Sequence, residues 1–267
     1  MTEEEKERKP KASWKNVCFS VLIMLVWVGA TIVALQYIIG YILIWILGAE
    51  KLSQPVWLAI YSTLVYTSSL LLVIFVPKGL AAKRASKNKN TKVVTKGSSD
   101  REELGLRGLP TWTDIGLAPA GFIVYWLITS GLMAVFEKFP WFNAEEVQNI
   151  GFSAYIFGFD RIVAFITLVV VAPIAEEIIF RGWLYGKMRG KLNEKVSDGV
   201  SMVISTFLVS LLFGIVHGQW NVGVDVFVMS LVLCGMREVT GTVYSGILLH
   251  MLKNGVAFYH MLFMGGM

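Results

Sequence analysis

Cysteine is scarce in this chain of 267 residues, which has only Cys18 and Cys234, both inside apolar runs. Two cysteines in such surroundings build neither a disulfide framework nor a CxxC zinc site. The sequence also lacks the HExxH motif of helix-borne zinc hydrolases. No internal repeat is visible, and repeats are a common mark of secondary transporters. The sequence therefore gives no sign of a disulfide framework, of a CxxC or HExxH zinc site, or of the repeat architecture of many secondary transporters.

Charge is also sparse, because charged residues make up 16% of the sequence while hydrophobic residues make up 55% and the mean hydropathy is +0.62. Such a composition is typical of multi-pass membrane proteins and not of soluble ones. The long apolar runs predict an all-α fold, a polytopic membrane helix bundle with about seven transmembrane helices. The seven predicted helices cover residues 16–47, 56–76, 115–136, 162–180, 202–217, 222–236 and 242–263.

The basic residues are distributed unevenly between the loops. Segment 78–114 carries nine Lys and Arg residues, whereas the segment after 136 holds Glu137, Glu145 and Glu146 and, before Asp160, a single lysine. The positive-inside rule therefore predicts a cell-membrane protein with a cytoplasmic N-terminus and an external C-terminus. The organisation that follows is a cytoplasmic tail (1–15), two transmembrane helices (16–77), a basic cytoplasmic loop (78–114) and a core (115–267).

The net charge of +5 is accounted for by these inner loops. It therefore gives no reason to expect nucleic acid as a partner. Membrane lipid with anionic head groups is the expected partner of such loops.

Two adjacent carboxylates, Glu176 and Glu177, lie near the end of an apolar run. A carboxylate at the centre of a membrane helix costs about 2.5 to 3.5 kcal/mol, so the pair needs a partner, a water-filled cavity or a function. Arg181 follows Glu177 by four residues, a spacing that puts both side chains on one helix face. The sequence thus predicts an ion pair between Glu177 and Arg181.

Two later helices repeat the spacing of four, with Phe213 before His217 and His250 before Asn254. Three helices would then each present a polar face, and convergence on one cavity explains all three. Since the run 222–237 is too short for the bilayer, the turn at 218–221 is expected to lie inside the membrane and to bring His217 to that cavity.

These three motifs, with the flanking Phe180, Gly182 and the Thr-Gly-Thr at 240–242, resemble the CAAX-protease and bacteriocin-processing (CPBP, or Abi) family of intramembrane glutamic proteases. The resemblance implies a CAAX-protease-like core and hydrolysis of a peptide bond inside the membrane. It implies that Glu176 is the general base, helped by His217, and that His250 and Asn254 stabilise the oxyanion. The supporting residues it indicates are Glu177, Arg181 and Phe213, the last by ordinary packing.

The chemistry of the residues is consistent with these roles. An amide such as that of Asn254 donates neutral hydrogen bonds, which suit an oxyanion hole and suit a metal poorly. Water activated by Glu and His is therefore favoured, with no cofactor. Zinc remains an alternative, with Glu176, His217 and His250 as its ligands.

The expected substrate is a membrane-associated peptide or protein cut near the cytoplasmic face. The classes associated with the family are peptide pheromones, bacteriocins to be matured or resisted, and CAAX tails; the short loops suggest a bacterial source. Two other functions stay open. One is a non-catalytic membrane adaptor or immunity protein with the same fold, and the other is a proton-coupled transporter that uses the intramembrane Glu, His and Arg.

Overall fold

The computed structural model describes residues 13–87, 100–144, 146 and 156–263, and all regular structure within them is helical. The predicted all-α membrane bundle is confirmed. Within the described residues nine helices follow one another: α1 (Trp14–Leu47), α2 (Ala49–Leu52), α3 (Pro55–Lys87), α4 (Asp100–Glu103), α5 (Trp112–Phe136), α6 (Gly158–Leu192), α7 (Asp198–Ile215), α8 (Trp220–Thr240) and α9 (Tyr244–Phe263).

Five of these helices, α1, α3, α5, α6 and α7, are long and apolar enough to cross a membrane, so the chain is a multi-pass membrane protein. Helices α8 and α9 have 21 and 20 residues, which is also sufficient length. They are not among the five, and they carry the polar residues Asp225, Arg237 and Glu238, or His250, Lys253 and Asn254. One of these two helices, α9, carries His250 and Asn254 of the candidate site.

Several predicted helix boundaries are wrong. Helix α3 continues to Lys87, ten residues into the segment predicted as a basic loop, and residues 88–99 of that segment lie outside the described residues. Helix α6 continues from Phe180 to Leu192. Helix α8 begins at Trp220 and ends at Thr240, which makes it about 31 Å long at 1.5 Å per residue. It is therefore long enough for the bilayer, and the short helix from which a sunken turn at 218–221 was predicted is not observed.

The bundle exposes apolar side chains and buries charged ones. Helix α1 packs against α3 and presents Trp45, Tyr41 and Phe19 outward, at 87%, 75% and 63% exposure. Lipid is the natural medium for that surface. In contrast, Glu177 and Arg181 are almost fully buried. Helix α5 packs across α8 and α9, and α8 packs along α7, which brings α6 to α9 together around these charges.

The start of α5 is tied to the turn before α9. Thr111 and Asp114 form a capping box at the first turn of α5, in which Asp114 Oδ2 accepts from the backbone and the hydroxyl of Thr111, both at 2.8 Å. The other oxygen of this buried carboxylate accepts from Thr242 Oγ1 at 2.9 Å. One cap therefore orients two helices, and α9 carries His250 and Asn254.

A close backbone contact holds the loop after α4 against α6. A Cβ atom added at Gly182 would lie 2.8 Å from the carbonyl oxygen of Leu104. We expect Gly182→Ala to lower the free energy of unfolding by about 1 to 3 kcal/mol, because the obstructing atom is backbone and cannot rotate away. Thermal melting in detergent measures the effect.

Gly190 provides the matched control, since it lies in the same helix and nothing lies within 4 Å of an added Cβ. Gly190→Ala should raise stability slightly, by about 0.5 to 1 kcal/mol, because alanine loses less backbone entropy in a helix. Equal effects of the two substitutions would contradict the contact.

Candidate active site

Helix α6 is irregular around the two glutamates. Two π-helical segments, Ile166–Val171 and Ile178–Tyr185, enclose an α-helical piece, Ala172–Glu177, that ends in Glu176 and Glu177. Short π segments inside helices occur frequently at functional sites. They also rotate the following side chains relative to an ideal helix, so the sequence spacing alone does not give the direction of the carboxylates.

Pro173 leaves one carbonyl of the first π segment without a backbone donor. Ala172 N donates to Thr167 O, five residues back, so the next bond of this register would run from residue 173 to Leu168 O. Proline has no N–H to donate. Asn254 Nδ2 donates to Leu168 O instead, at 2.9 Å. Asn254 therefore fixes α9 to α6 with one amide hydrogen and keeps a second hydrogen for another acceptor.

Glu177 is the centre of a buried ionic chain. Its Oε1 accepts from Arg181 Nη1 and from His250 Nδ1, both at 2.9 Å, and none of its side chain is exposed. The predicted pair with Arg181 is confirmed. The bond to His250 was not predicted. It is possible because Gly246, one turn before His250, has no side chain: a Cβ there would lie 3.2 Å from Glu177 Oε2.

Glu176 differs from Glu177 in its surroundings. Its side chain is 15% exposed, and its Oε2 lies 3.7 Å from His250 Nε2. Tyr66 on α3 lies near enough to the same carboxylate to interact with it. His250 thus has a buried carboxylate at one ring nitrogen and an accessible one near the other. Tyr66 was not predicted, because a single tyrosine inside an apolar run carries no spacing signal.

Phe213 joins the two histidines and the arginine. Its ring centroid lies 4.9 Å from that of His217 and 6.0 Å from that of His250. The guanidinium carbon of Arg181 lies 4.4 Å from the same centroid, a cation–π contact. Phe213 is completely buried, as expected of packing. It also supplies the aromatic face against which the charged residues are placed.

His217 Nδ1 lies 2.7 Å from the carbonyl oxygen of Phe213. A carbonyl can only accept, so Nδ1 carries the hydrogen, and Nε2 of the neutral ring keeps its lone pair. His217 also lies close enough to Glu176 and His250 to interact with their charges. The structure therefore brings Glu176, Glu177, Arg181, Phe213, His217 and His250 together, while Asn254 faces the backbone of the same α6.

His217 reaches the site for a different reason from the one predicted. Arg189 near the end of α6 donates to Asp198 O at 2.9 Å and to Ser201 Oγ at 3.0 Å, so α7 begins beside that end. Counted from this level, Glu177 is 12 residues or about 18 Å along α6. His217, in the turn just after α7, is 16 residues from Ser201 or about 24 Å. The extended end of α6 thus brings the two residues to within about one helical turn of the same height.

A second polar group adjoins the site. Lys253, the residue before Asn254, pairs with Asp225 Oδ2 at 3.2 Å, and the Tyr125 hydroxyl donates to the other oxygen. Asp225 thus links α5, α8 and α9. This group was not predicted, because the three residues are distant in sequence.

The alternative zinc site does not fit the side chains. Across the described ranges, no three His, Cys, Asp or Glu side chains come together as a metal ion would need. Glu176, His217 and His250 are neighbours, but within these ranges their side chains do not converge as zinc ligands.

A comparison with family models matches residues 158–256 to the Rce1-like type II CAAX prenyl endopeptidases. No curated protein and no solved structure matches the chain. The matched segment runs from the first residue of α6 into α9 and contains all seven site residues predicted from the sequence. Tyr66 and Tyr125 lie outside it. This segment is therefore similar to the Rce1-like type II CAAX endopeptidases, which are peptide hydrolases, and the match is consistent with the CPBP family.

Proposed function

We propose that the chain hydrolyses a peptide bond of a membrane-associated peptide or protein close to the cytoplasmic face, with Glu176 as the general base. The contrast between the two glutamates carries the proposal. Glu177 is fully buried and bonded to Arg181 and His250, whereas Glu176 is partly exposed and faces the other nitrogen of His250. One carboxylate is therefore available to water, and the other is held in place.

His217 supports Glu176 in this proposal. Its Nδ1 hydrogen is committed to the Phe213 carbonyl, which leaves the Nε2 lone pair to accept from a water molecule. A water held between Glu176 and His217 loses a proton to Glu176 as its oxygen attacks the peptide carbonyl carbon. Positioned general bases of this kind contribute typically about 10² to 10⁴ to the rate.

His250 and Asn254 stabilise the oxyanion that this attack creates. His250 already donates from Nδ1 to Glu177, so donation from Nε2 requires hydrogen on both nitrogens and a positive ring. A positive His250 brings the net charge of this group to zero, because Glu176 and Glu177 carry two negative charges and Arg181 carries one positive charge. Asn254 offers its remaining amide hydrogen. The intermediate then collapses with cleavage of the C–N bond, and Glu176 returns its proton to the departing amine.

The proposed orientation puts the N-terminus in the cytoplasm and the C-terminus outside, following the basic loops. The substrate is then a peptide with a lipid-bound or amphipathic part, of the pheromone, bacteriocin, immunity or CAAX class.

The test incubates the purified protein in detergent with a membrane-tethered reporter peptide and identifies the products by mass spectrometry. Specific cleavage that is lost in Glu176→Gln supports the proposal, whereas binding without cleavage supports the adaptor.

Removal of metal should leave this activity nearly unchanged, since we propose no cofactor and no metal ion. Exhaustive chelation followed by dialysis should change the rate less than twofold, and elemental analysis should find less than one zinc per chain. Glu194→Gln, an exposed substitution, is a control for handling losses. A loss of activity that zinc restores would contradict the proposal and favour Glu176, His217 and His250 as ligands.

A further inference from the structure

A second cavity lies at the end of the bundle where α3, α6 and α8 end and α5 begins. Its volume is about 290 Å³, at the lower end of small-molecule sites. Lys78, Arg107, Lys187 and Arg237 line it, with Glu102 and Glu103 as its acidic residues. Four cations against two carboxylates leave a surplus of two positive charges. The cavity lies about one turn beyond Arg181 on α6, outside the proposed catalytic group.

The acidic groups at the cavity and the neighbouring Glu238 are already engaged. Glu103 pairs with Lys187 at 2.6 Å, and Lys78, Glu102 and Glu103 each have further interactions. Glu238, next to Arg237 in sequence, is taken by Arg189, whose Nε and Nη2 donate to its two oxygens at 2.8 and 3.0 Å. Within the residues that the structure describes, the buried Nε of Arg237 has no hydrogen-bond partner.

The backbone is shaped to hold Arg237 at this cavity. A Cβ atom at Gly105 would lie 2.6 Å from the guanidinium carbon of Arg237, and Gly105 has a φ of +72°. Only glycine combines that conformation with so close an approach. Gly105 O also accepts from Val243 N at 3.1 Å. The guanidinium is therefore set against a fixed loop and is not a mobile surface cation.

We propose that this cavity binds a phosphate group, with Arg107 and Arg237 as its principal ligands. Guanidinium groups recognise phosphate oxygens in a bidentate geometry. Arg107 lies close enough to Arg237 for their charges to repel each other, and an anion between them would relieve that repulsion. The site is at the end of the bundle that carries the basic segment 78–114, where lipid head groups lie. The phosphate of an acidic phospholipid and free inorganic phosphate share this chemistry.

The test measures binding of short-chain phosphatidylglycerol to the detergent-purified full chain by native mass spectrometry and by thermal melting. Phosphatidylcholine with the same acyl chains and sodium phosphate at matched ionic strength are the other two probes. We expect the affinity for phosphatidylglycerol to fall about tenfold in Arg107→Gln and in Arg237→Gln, because each removes a charge-assisted contact. Arg107 is exposed, so its substitution leaves the fold intact.

Arg84→Gln is the matched control, since Arg84 is an exposed arginine at the same end of α3. It should bind phosphatidylglycerol within twofold of the wild type. Stabilisation by sodium phosphate that is lost in Arg107→Gln identifies free phosphate as the ligand, and stabilisation by the lipid alone identifies the head group. Unchanged binding in both cavity variants, or an equal loss in Arg84→Gln, overturns the proposal.

Discussion

Glu176→Gln is expected to reduce peptide cleavage by about a thousandfold or more while leaving the melting temperature within about 2 °C of the wild type. The amide keeps the shape of the side chain but cannot take a proton from water. Glu176 is partly exposed, so water can compensate for part of its lost charge, and His250 keeps Glu177 as its buried partner. Initial rates on the tethered peptide, measured at equal protein concentration, provide the result.

Glu177→Gln is the informative companion because the two positions are adjacent in sequence and opposite in surroundings. Removal of the Glu177 charge leaves Arg181 without its counter-ion inside the bundle, so this variant should lose both stability and activity. A rate for Glu176→Gln within tenfold of the wild type would remove Glu176 from the mechanism. A lower melting temperature in Glu176→Gln than in Glu177→Gln would mean that the two roles are exchanged.

The membrane fold follows from the sequence because apolar run length is set by bilayer thickness, a constraint that acts on each segment separately. The ends of the runs were predicted less well. Helix α6 continues to Leu192, through the polar stretch of Lys187, Arg189 and Lys191. A helix can continue beyond the membrane. Hydropathy shows where the apolar run ends, but it does not show where the helix ends.

Some contacts of the candidate site could likewise be predicted from the sequence, and others could not. The pair of Glu177 and Arg181 was predictable because a spacing of four acts within one helix. The bond between Glu177 and His250 was not, since it depends on how α9 packs against an α6 that two π segments have rotated. The bond from Asn254 to Leu168 O needs the π register and Pro173 together. Contacts between helices depend on how the helices pack against each other, and the spacing of residues within one helix does not give that packing.

Arg181→Ala should lower the free energy of unfolding by about 3 to 5 kcal/mol, the usual cost of breaking a buried ion pair. Glu177 would keep a full charge with only His250 as its partner, and the cation–π contact with Phe213 would also be lost. Arg181→Lys keeps the charge and should recover part of the stability. Thermal melting in detergent ranks the three proteins.

Asn254→Ala should show the opposite balance. Loss of one oxyanion donor typically lowers turnover by about 10² to 10³. The accompanying loss of stability should be about 1 to 2 kcal/mol, because Leu168 O loses its donor and lies beside Pro173, which cannot replace it. Rates and melts of both variants, measured on the same preparations, separate the roles. A stable but inactive Arg181→Ala, or an Asn254→Ala protein that unfolds and remains active when folded, would assign the chemistry to Arg181 and the structural role to Asn254.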